Sequence, residues 1–134
     1  MNEIIKLIDV KLAINTMLAF LSFVILFHIL VLFEIISSEI VWGGKLESTS
    51  QMRIFETISI VINLIIITVV GIKGKYIRAF LPENAVKVIL WLLVVLFTLN
   101  TVGNMFSETT LETIMFTPLT LMSAILCYRI VIEE

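Results

Sequence analysis

The residues able to do chemistry in this chain are few, and most of them interrupt hydrophobic runs. His28 is the only histidine and Cys127 the only cysteine. Around them stand Glu34, Glu56, Ser59, Asn63, Asn100, Asn104, Glu108 and Thr117, each bordering or lying within apolar sequence. One histidine and one cysteine exclude a three-histidine or thiolate-rich metal centre and a bis-histidine haem within a single chain. A lone cysteine forms no intrachain disulfide, and its place late in an apolar run marks an inert, buried thiol. No Gly-x-Ser-x-Gly, phosphate loop or His-Glu-x-x-His occurs. An intramembrane enzyme using Glu34 or Glu56 as acid or base therefore lacks an evident nucleophile. No metal or cofactor is expected.

What remains is binding chemistry. Glu56, Ser59 and Asn63 follow i, i+3, i+7 and form one polar stripe on a helix. Asn100, Asn104 and Glu108 repeat every four residues, with Gly103 beside them to permit close backbone approach. Thr113, Thr117 and Thr120 share a face ahead of Ser123, and Pro118 in the same helix predicts a kink or local rearrangement. Histidine ordinarily titrates near neutral pH, so His28 in a hydrated pocket would change charge with the medium. Glu34 lies about 120° around the helix from His28, which argues against a dyad between those two.

The elements that must position these groups follow from composition. The chain is 60% apolar and 15% charged, with a mean hydropathy of +1.13, whereas a soluble domain carries about a quarter charged residues. Four runs are long enough to cross a bilayer, about residues 12–36, 54–72, 85–106 and 111–132. The reading is a single all-α domain over residues 1–134, a bundle of four transmembrane helices. The first run is too long for a signal peptide and has no small-residue cleavage pattern after it, so it reads as an uncleaved anchor. Residues Met1 to Lys11 interleave charged and apolar side chains, as a short surface-lying amphipathic segment does.

Orientation follows from the basic residues. Seven (Lys6, Lys11, Lys73, Lys75, Arg78, Lys87 and Arg129) fall on the side of the termini, against Lys45 and Arg53 on the other. That bias predicts cytoplasmic N and C termini. Most acids gather on the outer side, giving a rim that attracts cations or basic partners. Trp42 suits an interfacial belt, Ser48 to Gln51 has capping-box spacing, as does Thr109 to Glu112, and Arg53 is spaced to pair with Glu56.

With helix ends near Ile36, Ile54, Phe106 and Leu111, His28, Asn63, Asn100 and Thr117 fall roughly 9 to 14 Å below the outer edge. Unsatisfied polar atoms are costly in hydrocarbon, so these side chains are expected to turn inward, above a lower half sealed with Leu, Ile, Val and Phe. Two readings of the layer compete. In one it is hydrogen-bonding glue between helices. In the other, His28, Ser59, Asn63, Asn100, Asn104 and Thr117 line an outward-facing pocket that binds or transports a small polar solute or ion, or holds a lipid headgroup, with Glu34, Trp42, Arg53, Glu56 and Glu108 at the outer mouth.

The segments Val41-Trp42-Gly43-Gly44-Lys45, Phe55-Glu56-Thr57-Ile58-Ser59, Leu99-Asn100-Thr101-Val102-Gly103-Asn104 and Phe116-Thr117-Pro118-Leu119-Thr120 resemble a group of small four-helix integral membrane proteins of bacteria. That resemblance implies a multi-pass protein of the bacterial cytoplasmic (inner) membrane and no particular activity. The expected partners are the lipid bilayer, a small polar ligand or cation, and further copies of the chain, because four helices enclose too little space for a complete path. Exposed basic patches are lacking, so nucleic acid is not expected. The rival reading is a non-catalytic membrane subunit or scaffold that contacts a partner protein or lipid.

Overall fold

The computed structural model describes residues 2–36, 48–106 and 112–133. Trp42, Lys45 and the Gly43-Gly44 turn, Glu108, and the capping Thr109 all lie outside them. Among the described residues the chain is all-helical: α1 (Asn2–Ile5), α2 (Val10–Leu32), α3 (Thr49–Lys73), α4 (Glu83–Met105), a π-helical turn (Glu112–Phe116) and α5 (Thr117–Val131). Four helices are long and apolar enough to cross a membrane, the last counted from Thr113. Only 22% of the most apolar window of α2 and 39% of that in the last helix is buried within the chain. Much of the outward surface is therefore Ile, Leu, Val and Phe, which suits hydrocarbon rather than water.

The helix limits have local causes. Asp9 caps α2, its carboxylate accepting from the Leu12 amide at 3.4 Å. The far end of α2 comes at Leu32, short of the expected Ile36. There Glu34 takes φ 61° and the Ile35 amide closes back on the Leu30 carbonyl at 2.9 Å, the closing pattern of a left-handed residue just past a helix. Ser48 caps α3 by accepting from the Gln51 amide at 3.1 Å, so α3 begins at Thr49 and not near Ile54. Lys75 ends α3 as Glu34 ends α2, with φ 64° and a bond from the Tyr76 amide to the Gly71 carbonyl at 2.9 Å. The rearrangement expected at Pro118 is the π-helical turn one step before it.

Antiparallel neighbours α2 and α3 form one hairpin, and α4 and α5 the other; both pack extensively. The hairpins join chiefly through α2 and α5, while α3 and α4, although consecutive, pack only sparsely. The apolar core lies toward the end that carries both termini: Ala13, Ile14, Met17 and Leu21 of α2 meet Ile66, Val69 and Val70 of α3, Val86, Leu90 and Leu93 of α4, and Cys127 and Ile130 of α5. Cys127 is fully buried there. Arg129 ties the termini together. Its Nε donates to the Ile8 carbonyl at 2.7 Å and its Nη1 to the Glu133 carboxylate at 2.8 Å.

Candidate functional site

Toward the opposite end the helices are held by polar groups. The capped start of α3 puts Glu56 seven residues into the helix, about 10 Å along its axis. Its side chain is fully buried. His28, on the last full turns of α2, projects toward it, and Nδ1 of His28 lies 2.5 Å from Oε2 of Glu56. The ring of Phe27 stands edge-on to both the His28 ring, at 6.1 Å, and that of Phe116, at 5.9 Å, bringing aromatic surface beside the pair from α2 and from the π-helical turn.

This corrects two expectations. Glu56 does not stand at an open mouth beside Arg53; it is buried against His28, and Arg53 is exposed with no ion pair among the described residues. Glu34, as anticipated, does not meet His28 and is exposed beyond the end of α2.

Below Glu56 the α3 stripe continues as half-buried Ser59 and Asn63. The Asn63 amide nitrogen donates to the Ser59 carbonyl at 2.7 Å, which leaves its amide oxygen as an acceptor on the same face. The pattern then turns apolar at Ile66 and Val70, where the core begins.

The second polar cluster joins α4 to α5. Oγ1 of Thr101, which is buried, lies 3.0 Å from Oγ1 of Thr120, and the Asn104 amide reaches the same oxygen at 3.5 Å. Thr120 also lies within bonding distance of the Phe116 and Thr117 carbonyls, and Thr113 donates to the Asn104 carbonyl at 3.0 Å. Those carbonyls belong to the π-helical junction and to the end of α4, where helical partners run out. Oγ1 of Thr117 is buried without a partner among the described residues.

No family model, curated protein or solved structure matches the chain. The site must be judged on geometry.

One member of the expected layer, Asn100, departs from it, and so does the glycine expected to pack closely beside it. Asn100 is exposed on the outer surface of α4, because the buried face of that helix runs through Val86, Leu90, Leu93, Phe97 and Thr101. Gly103 makes no close approach: a β-carbon built there meets nothing within 4 Å. The inward residues are Thr101, absent from the expected layer, and Thr120, expected on one face with Thr113 and Thr117. The 3.6-residue spacing of Leu90, Leu93 and Phe97 would have selected Thr101. Among the described residues no group of three or more His, Cys, Asp and Glu side chains could hold a metal ion.

Proposed function

We propose that the protein is a multi-pass protein of a bacterial cytoplasmic membrane, with both termini cytoplasmic, that binds a small cation in its outward half. Glu56 is the anionic ligand and His28 its counter-ion at rest. The observation that supports this reading is the 2.5 Å contact between His28 and Glu56 with the carboxylate removed from solvent. Ionisable groups in spanning helices are expensive and characteristically mark ion or proton pathways. An ionised carboxylate only accepts hydrogen bonds, so a cation and a charged imidazole are alternatives for neutralising it. An arriving cation competes with the imidazole for Glu56, and Ser59 and Asn63 offer oxygens deeper on the same face. Movement across the membrane would require several copies of the chain.

The mechanism gives opposite signs for the two partners. With protein in nanodiscs and sodium, rubidium or methylammonium added singly, Glu56→Gln abolishes cation binding. His28→Gln removes the competitor and tightens it. A protein in which both substitutions leave binding unchanged, or in which wild type binds none of these cations, is not a cation binder.

The direct contacts of Thr101, Asn104 and Thr120 favour a second reading, a non-catalytic subunit whose polar groups fasten helices and whose outer loop engages a partner. In that case both substitutions lower stability alone.

A further inference from the structure

The end that carries both termini holds a feature the cation reading does not use. At the foot of the weakly packed seam between α3 and α4 lies a cavity of about 250 Å³. Its floor is apolar: Val86, Leu90 and Val131 are 4%, 1% and 2% exposed. Its rim carries Lys73 and Lys87, with Glu83 and Glu133.

The lysines and carboxylates of this rim form no ion pair with one another among the described residues. Glu133 is already engaged by Arg129 at 2.8 Å. Lys73 uses one donor on the Glu133 backbone carbonyl at 3.2 Å, which fixes its ammonium at the cavity with two N–H groups to spare. Lys87 is exposed and makes no ion pair among the described residues. Two lysines and two carboxylates thus line the cavity, and one of the carboxylates, Glu133, is held by Arg129 from outside the lining. The first turn of α4 carries the acidic Glu83, and Pro82 at the N-cap offers no side-chain bond to the opening amides. The start of a long helix favours an anion, and here it adjoins two lysines and an apolar floor.

We propose that this cavity binds the phosphate of a membrane phospholipid headgroup. Lys73, Lys87 and the opening amides of α4 hold the phosphate, and Val86, Leu90 and Val131 pack the glycerol and the first acyl carbons. Glu83 accepts from a headgroup hydroxyl or ammonium, which selects glycerol or ethanolamine over choline. The volume lies below the roughly 300–1,000 Å³ of pockets that enclose drug-sized ligands, so the site suits a headgroup and not a nucleotide. Basic pockets between helix ends are a recurrent way of holding phospholipids at the cytoplasmic face.

The test is native mass spectrometry of full-length protein after detergent exchange, with phosphatidylglycerol, phosphatidylethanolamine or phosphatidylcholine supplied, and inorganic phosphate as competitor. Wild type retains one of the first two lipids in preference to the third. Lys73→Gln with Lys87→Gln lowers retention by about thirtyfold, each lysine near a membrane surface being worth about a factor of five. A control pair, Lys75→Gln with Arg78→Gln, alters exposed basic residues of the same loop and retains lipid as wild type does. If the double variant fails to fold, Lys87→Gln alone, at an exposed position, carries the comparison. Equal retention in wild type and all variants, or loss in the control pair as well, overturns the proposal. Inorganic phosphate bound without retained lipid would make the source a soluble phosphate compound and overturn the lipid assignment.

Discussion

The imidazole of His28 and the carboxylate of Glu56, 28 positions apart in the chain, meet at 2.5 Å inside the first helical hairpin. This is the cross-link between α2 and α3 in the half of the bundle where the apolar core is thin. Removing one partner of such a pair leaves a buried polar group unsatisfied, at a cost of about 3–5 kcal/mol. His28→Leu and Glu56→Leu should each lower stability in sodium dodecyl sulfate titrations by an amount of that order. The double replacement should return most of it. Additive losses would mean that the two side chains stabilise the fold independently.

Thr120 should matter more than Thr101, because its hydroxyl is shared among Thr101, Asn104 and the carbonyls of the π-helical junction. Coupling of Thr101→Val with Thr120→Val in a double-mutant cycle should fall near 0.6 kcal/mol and below about 1.7 kcal/mol, the range of hydrogen bonds between membrane helices. Asn100→Leu, on the outward face of α4, should change the stability of the isolated chain by less than about 0.5 kcal/mol.

The glycines separate cleanly. A β-carbon at Gly74 would come within 2.7 Å of Ile14 Cγ2 and 3.1 Å of the Tyr76 ring, so Gly74→Ala should cost about 1–3 kcal/mol as overpacking. Gly103→Ala meets open space and should stabilise α4 by up to about 1 kcal/mol. Thermal unfolding in one detergent ranks the two.

Arg129→Gln should free the N-terminal segment. Hydrogen bonds to charged groups are worth about 1.5–3 kcal/mol, and Arg129 spends one on the Ile8 carbonyl. Hydrogen exchange should rise over residues 4–9 while the amides of α4 keep their protection. Arg129→Lys should not restore it, lacking the planar fork that reaches Ile8 and Glu133 together.

The sequence carried the four helices and the apolar sealing of the end bearing the termini, because spans of roughly 20 residues and a 3.6-residue repeat need no tertiary information. It also carried the means to find the pair. Counting depth for Glu56 from the Ser48 cap places it two turns inside α3; counting from the first uninterrupted apolar residue, Ile54, leaves it at the rim. Asn100 failed for a different reason. Polarity alone marks Asn100 as inward, but the position on a helix face is set by where its apolar neighbours go, and these point Thr101 inward. Which loop residues complete the outer end was not legible, since Val41 to Lys45 have no periodicity to orient them.

The concentration of apolar packing near the termini also has a mechanical meaning. It makes the bundle a lever with its fulcrum around Met17, Val70, Leu90 and Cys127 and its jaws at His28 and Glu56. From Met17 to His28 the arm is about 16 Å, at 1.5 Å per residue, so a tilt of about 5° moves the jaws by about 1.4 Å. Added to the 2.5 Å contact, a displacement of that size would carry the histidine and the carboxylate beyond hydrogen-bonding distance.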